Sequence, residues 1–439
     1  MQKILIALGI GVLFYFLGSM FFTQAQSILI SFVALLVALW TNEGLPLGVV
    51  SLLPIILFPA FDLIDTNSVA SNYSKSIIFL FLGGFLVAIG VEKTGLHKVI
   101  ANKMLTIFPS TPKGIIYSLV ITSGVLSSFL SNTTTALLLI PLAIFLTDDT
   151  NLKVRFSLAV AYGASIGGVM TPIGTPPNLI LLGFLESKSI EVFGFVEWMV
   201  KVAPLALCMF IVIGFILSIG LKTLSINHFS MKAGLTQEQK TVSFVLIGLI
   251  VLLLLNSPMK PFYDGLGLNE KGILLAFGLI LFLPSLNILV WEDSKKIPFE
   301  IIFLFGAGFS IAAAFSSTGL AESIADKLIT LTDLHPLILM IIIASIVTFT
   351  TEVTSNTALI SMILPVIYSM SEAAGLNSML FMMIATICAS YAFMLPIATP
   401  PNAIAMSYRI ISIGTMASYG FIFNLVGITF VVIFAYYFW

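Results

Sequence analysis

Ser131-Asn132-Thr133 and Gly174-Thr175-Pro176-Pro177-Asn178 return as Ser355-Asn356-Thr357 and Ala398-Thr399-Pro400-Pro401-Asn402, each 224 residues further along the chain. The same shift, without a gap, pairs Pro141 with Pro365 and Pro172 with Pro396. It also pairs Ile77-Ile78-Phe79-Leu80-Phe81 with Ile301-Ile302-Phe303-Leu304-Phe305, and Thr94-Gly95-Leu96 with Thr318-Gly319-Leu320. Apolar sequence produces chance matches, but it does not hold polar motifs in register over such a distance. The chain is an internal repeat, and each half carries two polar breaks.

Working outward, the breaks sit in a chain built for lipid. Hydrophobic residues make up 59% of the 439 positions and charged residues 9%, against roughly 25% charged in a soluble domain. Such a chain cannot cover a water-facing surface. In lipid it must satisfy its own backbone, which favours helices, and the alternation of a membrane β-barrel is absent. No basic cluster is dense enough for nucleic acid. Cys208 and Cys388 lie in apolar runs and read as packing residues. The apolar start of the chain, with Lys3 and no small-residue cleavage pattern, reads as a first spanning helix rather than a cleaved signal.

A crossing takes about 20 apolar residues. Spans are expected near 3–22, 27–41, 45–61, 76–92, 157–186, 198–221, 242–256, 271–290, 299–317, 380–409 and 412–438. Ile115–Leu146 and Pro336–Met370 do not fit: each is too long for one crossing, too short for two, and polar in the middle. Re-entrant hairpins satisfy both facts, because irregular backbone at membrane depth is tolerated where protein or a cavity covers it.

Charge agrees. Lys93, Lys98, Lys103 and Lys113 precede the first polar tip, and Lys153 with Arg155 follows it. A hairpin keeps all six on one side. With the N-terminus inside, Lys3, Lys222, Lys232, Lys240, Lys295, Lys296 and Arg409 join them, so 13 of the 19 basic residues lie inside, the bias expected of cytoplasmic loops. Lys75, Lys188, Lys201, Lys260, Lys271 and Lys327 fall outside, as does the C-terminus. Five crossings then separate Ile77 from Ile301. An odd number reverses direction, so the repeats are inverted. The expected organisation is an N-terminal span (1–26), a first repeat (27–221, hairpin 112–146), a linker (222–241) and a second repeat (242–439, hairpin 336–370).

The breaks carry the chemistry. Two consecutive prolines remove two backbone donors and clash with the preceding turn, so the helix opens. The freed carbonyls, with amide and hydroxyl oxygens, are hard ligands suited to an alkali cation by the logic that suits oxygen to calcium and magnesium. A half-helix starting after each break points its free N–H groups inward and attracts anions. Ser, Thr and Asn in membrane helices often only bridge a packing interface, but duplication of both motifs at matched spacing argues for a site. Glu352 is the one acid placed inside a membrane segment. Ser128 stands in its place in the first half, which argues against cation ligation and for a structural or gating role. His97, His228 and His335 are expected in connections. Gly83-Gly84, Gly306 and Gly308 read as close-packing positions.

At these residues the chain resembles the divalent-anion/sodium symporter family, the bacterial dicarboxylate and mammalian citrate carriers. The family's marks, paired Ser-Asn-Thr tips and paired breaks ending in Thr-Pro-Pro-Asn, are both present, and the resemblance covers nearly the whole chain. It implies an all-α polytopic fold of about eleven spans and two hairpins. It also implies a homodimer and an elevator movement of a transport domain against a scaffold. Carried over by motif, one sodium ion would meet Ser127, Asn132 and Gly174, and a second Thr351, Asn356 and Ala398. The dianion would meet Asn132, Thr133, Asn356 and Thr357, with Thr175, Thr399 and Pro400 nearby.

The expectation is a non-enzymatic, sodium-coupled carrier of C4-dicarboxylates such as succinate, malate or fumarate in the cytoplasmic membrane. It would use two or more sodium ions. An exchanger, or a sulfate or citrate carrier, fits the same fold. An anion channel needs no paired cation sites, and an intramembrane enzyme needs a nucleophile–base pair or metal ligands, for which no His/Asp/Glu cluster is present.

Overall fold

A computed structural model describes residues 1–42, 44–221, 234–258, 262–328 and 334–439. Lys222, His228, Lys232, Lys260 and most of the expected linker lie outside them. Among the described residues the regular structure is helical, and no group of His, Cys, Asp and Glu could hold a metal ion.

The chain opens with α1 (Gln2–Ser19) and α2 (Gln24–Asn42), packed along each other. There follow α3 (Leu47–Ala60), α4 (Thr66–Asn72), α5 (Ser76–Lys93) and α6 (Leu96–Leu105). Then come α7 (Pro112–Ser127), α8 (Asn132–Phe145), α9 (Thr150–Gly168), α10 (Pro176–Ser187) and α11 (Phe195–Ser218). The second half runs α12 (Gln237–Asn256), α13 (Glu270–Ile280), α14 (Phe299–Ser317), α15 (Leu320–Leu328), α16 (Pro336–Thr351), α17 (Asn356–Ala373), α18 (Ser378–Ala389), α19 (Pro400–Ser407) and α20 (Ile413–Tyr437). The shift of 224 carries α3 onto α13, α5 onto α14, α6 onto α15, α7 onto α16, α8 onto α17 and α10 onto α19. Helix starts obey it because the caps do. Thr111 and His335 cap α7 and α16, each with proline at the first helical position. Ser131 and Ser355 cap α8 and α17 by accepting backbone N–H bonds.

Seven segments among the described residues are long and apolar enough to cross a membrane: α1, α2, Thr66–Lys93, α11, α12, α14 and α20. The other four expected spans are short or broken, and they are paired by the repeat. Spans 45–61 and 271–290 are α3 and α13; spans 157–186 and 380–409 are α9–α10 and α18–α19. The expected span 271–290 is a helix only to Ile280, because Pro284 follows and Asn287 takes a left-handed φ of 50°. The expected linker to residue 241 ends earlier. Thr236 and Gln239 form a reciprocal capping box that starts α12 at Gln237. His97 does not lie in a connection: it is buried in α6, with Nδ1 3.1 Å from the Val91 carbonyl.

The halves exchange partners. Helix α8 packs on α19 while α17 packs on α10, and α5 packs on α13 while α3 packs on α14. Each contact joins a helix of one half to the counterpart of its neighbour in the other. Lipid gives no hydrophobic drive to such contacts, so closeness matters. At Gly83 an added Cβ would lie 2.4 Å from the Leu274 carbonyl carbon, so no larger residue fits between α5 and α13. Cys388 is buried and Cys208 half-buried, both as free thiols.

Candidate functional site

Four helices begin at one cavity of about 410 Å³. Its walls include Ser131, Asn132 and Thr133 at the start of α8, and Ser355, Asn356 and Thr357 at the start of α17. Gly174, Thr175, Pro176 and Pro177 come from the start of α10, with Ala398, Thr399 and Pro400 from the start of α19. Phe81, Phe85, Leu47, Leu304 and Ile301 close the rest, and no lining side chain carries a formal charge. Of the residues expected at the site, Asn132, Thr133, Gly174, Thr175, Asn356, Thr357, Ala398, Thr399 and Pro400 line this cavity.

Ser127 and Thr351 stand one layer behind, both fully buried. The Ser127 hydroxyl donates to Asn132 Oδ1 at 2.5 Å and the Thr351 hydroxyl to Asn356 Oδ1 at 2.9 Å. An added Cβ on Gly168 would lie 2.8 Å from Asn132 Oδ1 and 3.3 Å from the Gly174 carbonyl oxygen. The hydroxyl, the amide oxygen and the Gly174 carbonyl of the first half therefore converge around Gly168. These are neutral oxygen donors, the set an alkali cation prefers.

With no charged side chain in its lining, the cavity draws its positive potential from backbone. Each helix start carries roughly half a positive charge, and α8 and α17 add free backbone N–H groups, whereas α10 and α19 open on two prolines that have none. Four such ends at one cavity with no Lys or Arg offset part of the charge of a dianion.

Glu352 is held by structure. Its Oε1 accepts from the N–H of Phe393 at 2.8 Å and of Met394 at 2.9 Å, and Oε2 from Leu395 at 3.0 Å. Asn424 Nδ2 donates to Oε1 at 2.7 Å. At the matching place in the first half, the Thr171 hydroxyl donates to the Ser128 carbonyl. Both halves thus fasten a hairpin tip to the neighbouring break, one with a carboxylate and one with a hydroxyl. Thr171 and Asn424 had no role in the sequence reading, because their partners lie 43 and 72 residues away.

A family model described as citrate transporter (CitMHS) matches residues 33–386. A sodium-dependent dicarboxylate transporter, SdcS, of Staphylococcus saprophyticus is 32% identical, over 91% of this chain and 83% of the relative. SdcS of Staphylococcus aureus strain USA300 is 31% identical over 99% and 91%. Two solved structures share the fold. Neisseria gonorrhoeae MtrF, described as illuminating a class of antimetabolite efflux pumps, has a TM-score of 0.60 at 15% identity, covering 94% of each chain. The Alcanivorax borkumensis YdaH transporter has a TM-score of 0.61 at 14% identity, covering 95% and 99%. This chain belongs to the citrate transporter family, within the divalent-anion/sodium symporter group that its paired motifs resemble.

Proposed function

We propose that the protein is a sodium-coupled symporter of C4-dicarboxylates across the cytoplasmic membrane. The observation that carries this is the cavity itself: four helix starts, duplicated oxygen ligands and no formal charge. A dianion bound there needs positive charge from the helix ends and from cations brought with it. In this reading one sodium ion is held by Ser127, Asn132 and Gly174, and a second by Thr351, Asn356 and Ala398. The dianion meets Asn132, Thr133, Asn356 and Thr357, flanked by Thr175, Thr399 and Pro400. The names of the staphylococcal relatives favour dicarboxylate over sulfate.

The movement we infer is an elevator within a homodimer. The N-terminal span (1–26) and the outer helices of the repeats form the scaffold, and the two hairpins with the broken spans form the transport domain. An asymmetry between the halves supports it. Ser361 and Pro365 of α17 are buried, with Ser361 Oγ against Gly308 of α14. Their first-half counterparts Leu137 and Pro141 on α8 are exposed, Leu137 by 57%. Gly84, the counterpart of Gly308, faces Ile173 instead. The second hairpin is docked on α14 while the first stands off the counterpart helix α5, as expected of a carrier open on the side of the first hairpin. The side assignments draw support from two ion pairs. Lys93–Asp293 and Lys271–Glu186, each 2.7 Å, join groups that the charge count puts on common sides. That count places the N-terminus in the cytoplasm and the C-terminus outside.

The test is uptake of labelled succinate into proteoliposomes. A sodium gradient should drive accumulation that a potassium gradient does not. Equal uptake in both overturns the symport reading. Uptake of citrate or sulfate with no competition by succinate overturns the substrate class.

A further inference from the structure

The last residue of each Thr-Pro-Pro-Asn motif does not line the cavity. Asn178 and Asn402 are fully buried behind it. The Asn178 side-chain amide donates to the carbonyls of Gly168 at 3.2 Å and Thr171 at 2.8 Å, ten and seven residues back. The Asn402 amide donates to the carbonyls of Ala392 and Leu395, both at 3.0 Å, again ten and seven residues back. Gly168 and Ala392 are repeat counterparts, and so are Thr171 and Leu395. The same atom makes the same two bonds in both halves, although the carbonyl-bearing residues differ in side chain.

Gly168 ends α9, and the other three carbonyls belong to backbone that has left the helix. Residues 169–175 and 390–399 lie between α9 and α10 and between α18 and α19. Pro172 and Pro396, four residues on, leave the Gly168 and Ala392 carbonyls without a helical donor, and a buried carbonyl without a donor costs about 1–3 kcal/mol. The Thr171 and Leu395 carbonyls keep one turn bond each, from the N–H of Gly174 at 3.4 Å and of Ala398 at 3.2 Å. In each half one amide satisfies the first carbonyl, adds a second bond to the other, and ties the start of the break to the first turn of the next helix. The tie lies against the site in the first half: a Cβ on Gly174 would lie 2.5 Å from the Gly168 oxygen that Asn178 holds, and one on Gly168 2.8 Å from Asn132 Oδ1.

We propose that Asn178 and Asn402 are positioning residues for sodium: each fixes the broken backbone that carries one cation's carbonyl ligand, Gly174 in the first half and Ala398 in the second, without touching the ion. The proposal rests on the sodium reading above. Loss of either amide lets the break relax, so the carbonyl wanders from its neighbouring asparagine. Sodium affinity falls, and the dianion's own contacts stay intact once sodium saturates.

The experiment is thermal stabilisation of the purified full-length protein by sodium, at constant ionic strength with potassium. The variants are Asn178→Ala and Asn402→Ala, with Asn178→Ser and Asn402→Ser, which keep one short donor, wherever alanine fails to fold. Removing a residue that orients a metal ligand costs roughly ten-fold or more in metal affinity, and that rise in half-saturating sodium is expected of each alanine variant, less of each serine variant. Succinate affinity at saturating sodium should match the unsubstituted protein. A melting temperature lowered equally with and without sodium, at unchanged half-saturation, assigns the amides to stability alone and overturns the proposal. If the unsubstituted protein gains nothing from sodium over potassium, the sodium reading itself fails, a result distinct from unchanged variants of a responsive protein.

Discussion

Met394 donates its backbone N–H to both carboxylate oxygens of Glu352, at 2.9 and 3.1 Å. With Phe393 and Leu395 on either side, three successive amides of the opened segment converge on one side chain. Three adjacent N–H groups pointing one way are what a helix start offers, and here they have an internal anion. Glu352 therefore satisfies donors that the break exposes.

Glu352→Ala should be among the most damaging substitutions outside the cavity. It leaves the buried Phe393 N–H and Asn424 amide, and the half-buried N–H groups of Met394 and Leu395, without their acceptor, at about 1–3 kcal/mol for each buried group. Glu352→Gln keeps acceptor oxygen and should lose less. Melting temperature and surviving protein after detergent extraction report this, and an alanine variant as stable as the parent would contradict it.

The tips themselves should tolerate substitution structurally and not functionally. Asn132→Ala and Asn356→Ala remove an amide that faces both the cavity and a buried hydroxyl. Uptake should fall to background at matched protein level, with melting temperature in sodium-free buffer close to that of the parent. Near-normal uptake by either variant would be contrary to the assignment.

Inversion of the repeats has a direct readout. Lys113 and Asn377 are both exposed, near the start of α7 and at the cap of α18. Cysteines at Lys113 and Asn377 should react with an impermeant reagent from inside and outside respectively. Labelling from one common side would rule inversion out.

The docked hairpin and the one that stands off α5 predict a contact that the present arrangement lacks. Gly308 meets Ser361 here, so their counterparts Gly84 and Leu137 should meet in the opposite state. The double variant Gly84→Cys/Leu137→Cys should cross-link during turnover, stop uptake, and recover on reduction. Absence of cross-linking under all gradients would contradict the elevator movement.

Much of this was legible in the amino-acid order. The shift of 224 located both tips and both breaks, because polar residues and prolines in apolar surroundings stand out and their caps fix helix starts within one residue. The early end of α13 was harder, since Pro284 and Asn287 act inside a run that stays apolar throughout. Short helices such as α4, α6 and α15 escaped a count of crossings because they are too short to cross. The partners of Asn178, Asn402 and Glu352 were not legible at all. Contacts made through an opened segment follow no helical period, and Asn424 comes from a helix 72 residues away.

In the proposed carrier, cations build the anion site. Two negative charges in a cavity without a basic side chain would cost many kcal/mol if left unpaired, and helix ends offset part of that. Calorimetric titration of succinate across a sodium series, with potassium or choline holding ionic strength constant, measures it most directly. Succinate affinity should fall steeply as sodium is withdrawn, and by linkage succinate should tighten sodium binding by the same factor. A succinate affinity that does not change with sodium would contradict the account.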